Sequence, residues 1–186
     1  CSTTLAMSKS PASEPAPQPQ AQGFTGDVNA MAQQCFSIQS PSTGNYLTKY
    51  TKGGLIDDGL GYHFVNTAKD NATRFFMKPT SFGKYLMTDV DGRYFASHLP
   101  AEISAGRYAG EFAEWTISKE GNDRYSLHGT APNMKVRART DKGTMYFFDL
   151  LNPFNFNSEN TFKLVAQNNC TDFPEVTTNV QGDVNA

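Results

Sequence analysis

The sequence predicts an all-β fold in which one unit occurs three times around a shared core. Three observations carry this. Three stretches, "YLTKYTKGGLI", "YLMTDVDGRYF" and "VRARTDKGTMY", each run from a β-rich segment through a polar, glycine-bearing turn into a second apolar segment, the pattern of a β-hairpin. About twenty residues after each turn comes a second match, "TRFFM", "EWTIS" and "TFKLV". Past residue 34, aromatic and aliphatic residues alternate with polar ones, a pattern that can build a core from strands.

Taken in order, "CFSIQS" opens the first copy and "GNYLTKYTKGG" supplies its hairpin. "TRFFM" closes it with Phe75-x-Met77 on one strand face. The second copy has "MKPTSFGKYL" where an opening strand belongs, so that strand is expected to be short or fused to its predecessor. Its hairpin is read at "YLMTDVDGRYF" and its closing pair is Trp115-x-Ile117. The third copy opens at "YSLHG", turns at Gly143 and closes with Phe162-x-Leu164. Aligned on Gly53, Gly92 and Gly143, Tyr46, Tyr85 and Val136 each stand seven positions upstream. One such unit has a single apolar face and cannot bury it alone. Three closing around a pseudo-threefold axis form one core and remove most sheet edges, which is a β-trefoil. A β-sandwich or an irregular barrel does not require the same two motifs to recur three times in order.

Composition bounds the rest. The chain has 186 residues, 18% charged, with a net charge of −2, and this balance excludes an electrostatic nucleic-acid binder. Residues 1–34 hold "PASEPAPQPQAQG" and read as a disordered tether of mixed stiffness. Residues 35–170 are the expected trefoil and 171–186 a C-terminal linker. The pentapeptide Gly-Asp-Val-Asn-Ala occurs twice, at Gly26–Ala30 and Gly182–Ala186, and reads as polar punctuation on either side of the folded unit. The cysteines are Cys1, Cys35 and Cys170. Cys35 precedes the first patterned strand and Cys170 follows the last, so a Cys35–Cys170 disulfide is expected where the two chain ends meet, in an oxidising compartment.

Cys1, followed by small polar and Pro/Ala/Gln-rich residues, resembles the processed start of a bacterial lipoprotein. That resemblance implies lipidation of Cys1, membrane attachment through the lipid, and an outer-membrane or cell-surface location. On "GNYLTKY", "GKYLMTD", "VDG" and "AEWTISKE" the folded part resembles the fascin-like branch of the β-trefoils. That scaffold hosts actin crosslinkers, sugar binders and accessory domains of enzymes. The resemblance implies a non-catalytic binding or accessory module N-terminal to a larger surface protein or hydrolase. The sugar-gripping Gln-x-Trp of the ricin-type branch has no counterpart in three copies, since only "AEW" occurs.

No catalytic constellation emerges, and no cofactor or metal is expected. His63, His98 and His128 lie in separate copies without ligand spacing. "DVDG" at Asp89–Gly92 lacks the remainder of a calcium loop and reads as a two-residue hairpin turn. Asp57 and Asp58 read as solvated loop charge. The binding candidates are aromatic. "FFDLLNPFNFNSEN" places Phe147, Phe148, Phe154 and Phe156 beside amides such as Asn155, the kit that stacks sugar rings and holds their hydroxyls. The same residues are also suited to capping the barrel or packing on a neighbouring domain. "HLPAEISAGRYAGEF" adds Tyr108 and Phe112. The expected partner is a glycan, a protein or a following domain of the same chain; the alternative function is a self-assembling structural surface protein.

Overall fold

A closed circuit of six strands forms the centre of the molecule. The computed structural model describes residues 22–31, 34–81, 83–98, 102–147, 157–168 and 170. The strands are β1 (Cys35–Gln39), β2 (Tyr46–Thr51), β3 (Leu60–Val65), β4 (Phe75–Pro79), β5 (Lys84–Asp89), β6 (Tyr94–His98) and β7 (Glu102–Gly106). They continue with β8 (Glu114–Gly121), β9 (Arg124–Gly129), β10 (Arg137–Arg139), β11 (Met145–Tyr146), β12 (Ser158–Glu159) and β13 (Lys163–Ala166). Antiparallel pairing runs β1 to β4, β4 to β5, β5 to β8 and β8 to β9. Tyr125 and Phe162 then exchange backbone hydrogen bonds of 2.9 and 2.8 Å between β9 and the start of β13. β13 returns to β1 with Phe36 opposite Ala166 and Gln39 opposite Lys163. The ring is complete.

Each barrel strand contributes two large side chains at alternate positions. They are Phe36 and Ile38, Phe75 and Met77, Tyr85 and Met87, Trp115 and Ile117, Tyr125 and Leu127, and Phe162 and Leu164, all buried. The pairs expected on the closing strands of the three copies thus occupy equivalent places. Over one end of the barrel, β3, β7 and β11 meet pairwise: Gly61 opposite Ser104, Glu102 opposite Tyr146, and His63 opposite Thr144. Three bridges among three equivalent strands are the triangular cap of a β-trefoil. Gly143 (φ +73°) has no room for a side chain there, since a Cβ would lie 2.2 Å from the Phe64 carbonyl oxygen.

Two expectations need correcting. The second hairpin, read at Tyr85–Phe95, joins β5 to β6 and so matches the link from β1 to β2, not the β2–β3 hairpin. The opening strand of the second copy is therefore Lys84–Asp89, neither short nor fused, and the hairpin equivalent to β2–β3 is β6–β7. The cause is that left-handed glycines punctuate several different turns of a repeat, among them Gly44, Gly53, Gly83, Gly92 and Gly143, so the turn signature does not say which strands it joins. The Asp89–Gly92 turn also has only Gly92 at positive φ. It is closed by Asp89, whose Oδ1 accepts from the Asp91 and Arg93 amides at 2.9 Å each.

The folded unit also begins earlier than residue 35. Phe24 N donates to Leu164 O at 2.7 Å, and Val28–Met31 forms a 3₁₀ turn whose Val28 and Met31 join the core. In a 3₁₀ turn residues i and i+3 eclipse, which puts these two apolar side chains on one face.

Cys35 and Cys170 form a disulfide with their Cα atoms 5.5 Å apart across a sequence separation of 135. Closing a loop of that length stabilises by about 5 kcal/mol in the chain-entropy account. The bond sits beside the β1–β13 pairing and so ties the ends of the barrel.

Asp89 is the buried polar anchor between barrel and cap. It is fully buried, and its Oδ2 accepts from Tyr62 Oη and Lys49 Nζ, both at 2.9 Å. Burial, then the Asp89 carboxylate, push the Tyr62 phenol well above its usual pKa. Asp89→Ala leaves Lys49 and two turn amides without this acceptor, and is expected to destabilise by about 3 kcal/mol. Urea unfolding followed by Trp115 fluorescence measures it; a loss under about 0.5 kcal/mol would show that the carboxylate is not an anchor.

Candidate functional site

The aromatic insertion expected to bind ligand divides in two. Phe147 is 2% exposed and belongs to the core, so its ring offers no face to a ligand and serves the packing role. Phe148, Phe154, Asn155 and Phe156 lie outside the described residues, as does Cys1.

The second aromatic segment behaves differently. Tyr108 is 78% and Phe112 44% exposed. With Asp57, Ser97, His98 and Arg107 they line an open hollow of about 310 Å³ on the second repeat. β6 and β7 position them: His98 ends β6, and Arg107 and Tyr108 follow directly on β7. An adjoining hollow of about 160 Å³ is lined by Lys52, Leu55, Ile56, His98, Glu102 and Ser104. Leu55 and Ile56 are 101% and 54% exposed. The four large exposed apolar side chains among the described residues thus all stand at these two hollows, which share His98.

The loop between β2 and β3 builds the wall between them. Gly53, Gly54 and Gly59 have positive φ, and so do Asp57 (φ 52°) and Asp58 (φ 56°). Left-handed backbone is unfavourable for a side-chain-bearing residue and persists only where the surroundings impose it. Here they do. Asp57 Oδ2 accepts from Ser104 Oγ at 2.6 Å. Asp58 takes ion pairs from both Arg93 and Arg107. Gly59 O accepts from the Lys52 and Gly53 amides at 2.7 and 3.2 Å, closing the loop. The outcome is that Leu55 and Ile56 are held out in water while the carboxylates are spent on anchoring. The sequence reading of Asp57 and Asp58 as solvated charge missed this. Two adjacent acidic residues beside a glycine, where αL is tolerated, were the available signal.

Electrostatics are mild. Glu102 has its pKa lowered, first by the hydrogen bond from Lys52 Nζ at 2.8 Å, with Lys52 and His98 as nearby positive charges. Tyr50 and His63 stack with ring centroids 3.7 Å apart and planes 2° from parallel. Burial lowers the His63 pKa below 6.5, and burial together with Glu102 raises that of Tyr50. Among the described residues no group of three His, Cys, Asp or Glu side chains converges on one point as a metal site would need. His128 instead engages Asn133.

No protein-family model matches the chain, and no curated protein sequence matches it. Solved structures do. Cry35Ab1 is similar at 18% identity and a TM-score of 0.58, over 74% of this chain and 36% of that one. The GlcNAcα1-4Gal releasing endo-β-galactosidase from Clostridium perfringens is similar at 14% and 0.56, over 73% and 33%. The designed 3-fold symmetric protein ThreeFoil is similar at 12% and 0.51, over 70% and 97%. The fold is a β-trefoil. At these identities the likeness reaches no further than the fold, and this chain spans about a third of the length of the first two proteins.

The His63 shift carries a pH consequence. A base whose folded pKa is depressed contributes stability above its unfolded value, and loses it as pH falls through the folded one. Stability is therefore expected to drop as pH falls below about 6.5, with the drop reduced in His63→Gln. Paired denaturant titrations check this; a variant with the same pH slope as the parent contradicts it.

Proposed function

We propose that the chain is a non-catalytic binding module that works outside the cytoplasm and takes a carbohydrate at the second repeat. The observation that carries the reading is the convergence of Tyr108 and Phe112 with Asp57, His98 and Arg107 around one open hollow of about 310 Å³. An exposed aromatic ring offers an apolar face to a sugar's C–H surface, and the surrounding donors and acceptors suit its hydroxyls. The volume fits a ligand at the small end of the usual range. The neighbouring hollow, walled by Leu55 and Ile56, gives a longer oligosaccharide somewhere to continue. The similarity to an endo-β-galactosidase makes galactose-containing glycans the first to try.

The disulfide supports an oxidising location. In the same reading Cys1 carries lipid, residues 1–23 tether the fold to an outer membrane or cell surface, and the trefoil is of the fascin-like type and accessory to a larger surface protein. A self-assembling structural role has its own support in Leu55, wholly exposed at a loop tip; a mass by light scattering that rises with concentration, and falls in Leu55→Ser, would favour it.

The test is calorimetry on the full chain with ligands selected on a glycan array. Tyr108→Ala is expected to lower affinity about tenfold or more (~1.4 kcal/mol), Lys78→Ala to leave it unchanged, and bound oligosaccharide to be recovered intact. Binding retained in Tyr108→Ala but lost in a Phe154→Ala, Phe156→Ala double variant would move the site to the 147–157 segment. Absence of glycan binding, or cleavage of the ligand, would overturn the reading.

A further inference from the structure

The repeated pentapeptide is not spent as punctuation. In its first copy every position has work to do at the open end of the barrel. Gly26 O accepts a hydrogen bond from Tyr125 Oη. Asp27 shapes the turn, with Oδ1 accepting from Asn29 N at 2.8 Å and its carbonyl from Ala30 N at 2.9 Å. Val28 is 7% exposed and joins the core. Asn29 Oδ1 accepts from Tyr85 Oη. Two residues upstream, Phe24 stacks on Tyr125 with centroids 6.3 Å apart. The receiving groove is built from tyrosines at equivalent positions of β5 and β9, so the fold itself presents a matched pair of phenols to this segment.

The second copy repeats the whole of Gly-Asp-Val-Asn-Ala at Gly182–Ala186, with the apolar Val180 at the offset of Phe24. We propose that the barrel-end groove is a recognition site for this sequence, and that the chain's own second copy, Gly182–Ala186, is an alternative occupant able to replace Gly26–Ala30. Reach permits it. Ala30 stands five residues before Cys35, Gly182 twelve after Cys170, and the two cysteines are joined at a Cα separation of 5.5 Å. At up to about 3.3–3.6 Å per residue, the second tether is the longer of the two. Both copies therefore compete at the high effective concentration of a short linker. The first copy has the advantage of Phe24, which stacks on Tyr125 where the second copy offers Val180. Losing that ring-on-ring contact makes the second copy weaker by up to about tenfold. The groove is then held by the first copy at rest and passes to the second when the first is pulled away. Such an exchange couples tension or cleavage in the N-terminal tether to the position of the C-terminal segment.

The experiment uses a fluorescein-labelled peptide of residues 177–186 as probe and anisotropy as readout, on three full-length chains. They are the parent, a Val28→Asp, Asn29→Ala variant, and that variant with Val184→Asp added. Near-ultraviolet dichroism of the buried Trp115 environment reports that each remains folded. Binding is expected to be weakest to the parent, stronger by about tenfold or more once the first copy is disabled, and strongest once both are. No saturable binding to the folded triple variant overturns the proposal. Equal binding to the double and triple variants also overturns it, since the chain's own second copy would then not be occupying the groove. Should the variants unfold, millimolar unlabelled peptide added to the parent must move the Tyr85 and Tyr125 ring resonances; unmoved resonances overturn the proposal equally.

Discussion

Everything in this molecule depends on β1 finding β13. The first and last strands of the fold are about 130 residues apart in sequence, and until they pair the barrel is an open sheet with two unsatisfied edges. β1 is also held by β4 on its other side, so that its five residues are all buried. The conformational entropy of closing so long a loop is the main cost of the topology. The Cys35–Cys170 bond sits where that cost falls, and lowers it by restricting the unfolded chain. Once closed, the ring has no free edge, and three cap strands can meet over one end.

Closure at one place is what allows strain at another. The β2–β3 loop of the first repeat holds two aspartates in left-handed backbone, at a cost of order 1 kcal/mol or more each. It does so because Ser104, Arg93 and Arg107 of the second repeat fix the carboxylates. The exposed face with Leu55, Ile56, Tyr108 and Phe112 is thus made between repeats, not within one. A trefoil with perfect internal symmetry would carry three such faces. Here the third repeat's shorter strands, β10 to β12, and the glycine-rich loop peculiar to the first repeat break the equivalence and single one face out.

How much was legible in the sequence follows from where the signals are strong. Phe75-x-Met77, Trp115-x-Ile117 and Phe162-x-Leu164 stand out because a barrel strand must bury two large side chains at alternate positions. The disulfide followed from the same topology. The register of the second repeat did not, because "YLTKY" and "YLMTD" look alike while one is a cap strand and the other a barrel strand. Their shared Tyr-Leu answers to local β-propensity, which carries no information about tertiary place. Residues 24–31 read as linker because Gly, Asp and Asn are turn-formers, and only the Val28/Met31 spacing of a 3₁₀ turn hinted at burial. Of the site, Tyr108 and Phe112 were visible as aromatics in a loop-rich segment. The part played by Asp57 and Asp58 was not, since it arises from Ser104, forty-seven residues from Asp57, and from arginines thirty-five and forty-nine residues from Asp58.

The most direct measurement of the central claim is amide hydrogen exchange across the β1–β13 seam, resolved residue by residue by NMR in the native protein. If barrel closure is the constraint on which the fold rests, the hydrogen-bonded amides of Phe36–Gln39 and Lys163–Ala166 exchange only through global unfolding. Their protection should then match that of Trp115 and Ile117 on the opposite side of the barrel. Seam amides that exchange at the rate of the loop residues Gly53 and Gly54, while β8 stays protected, would mean that the ring is open in solution and would contradict the account.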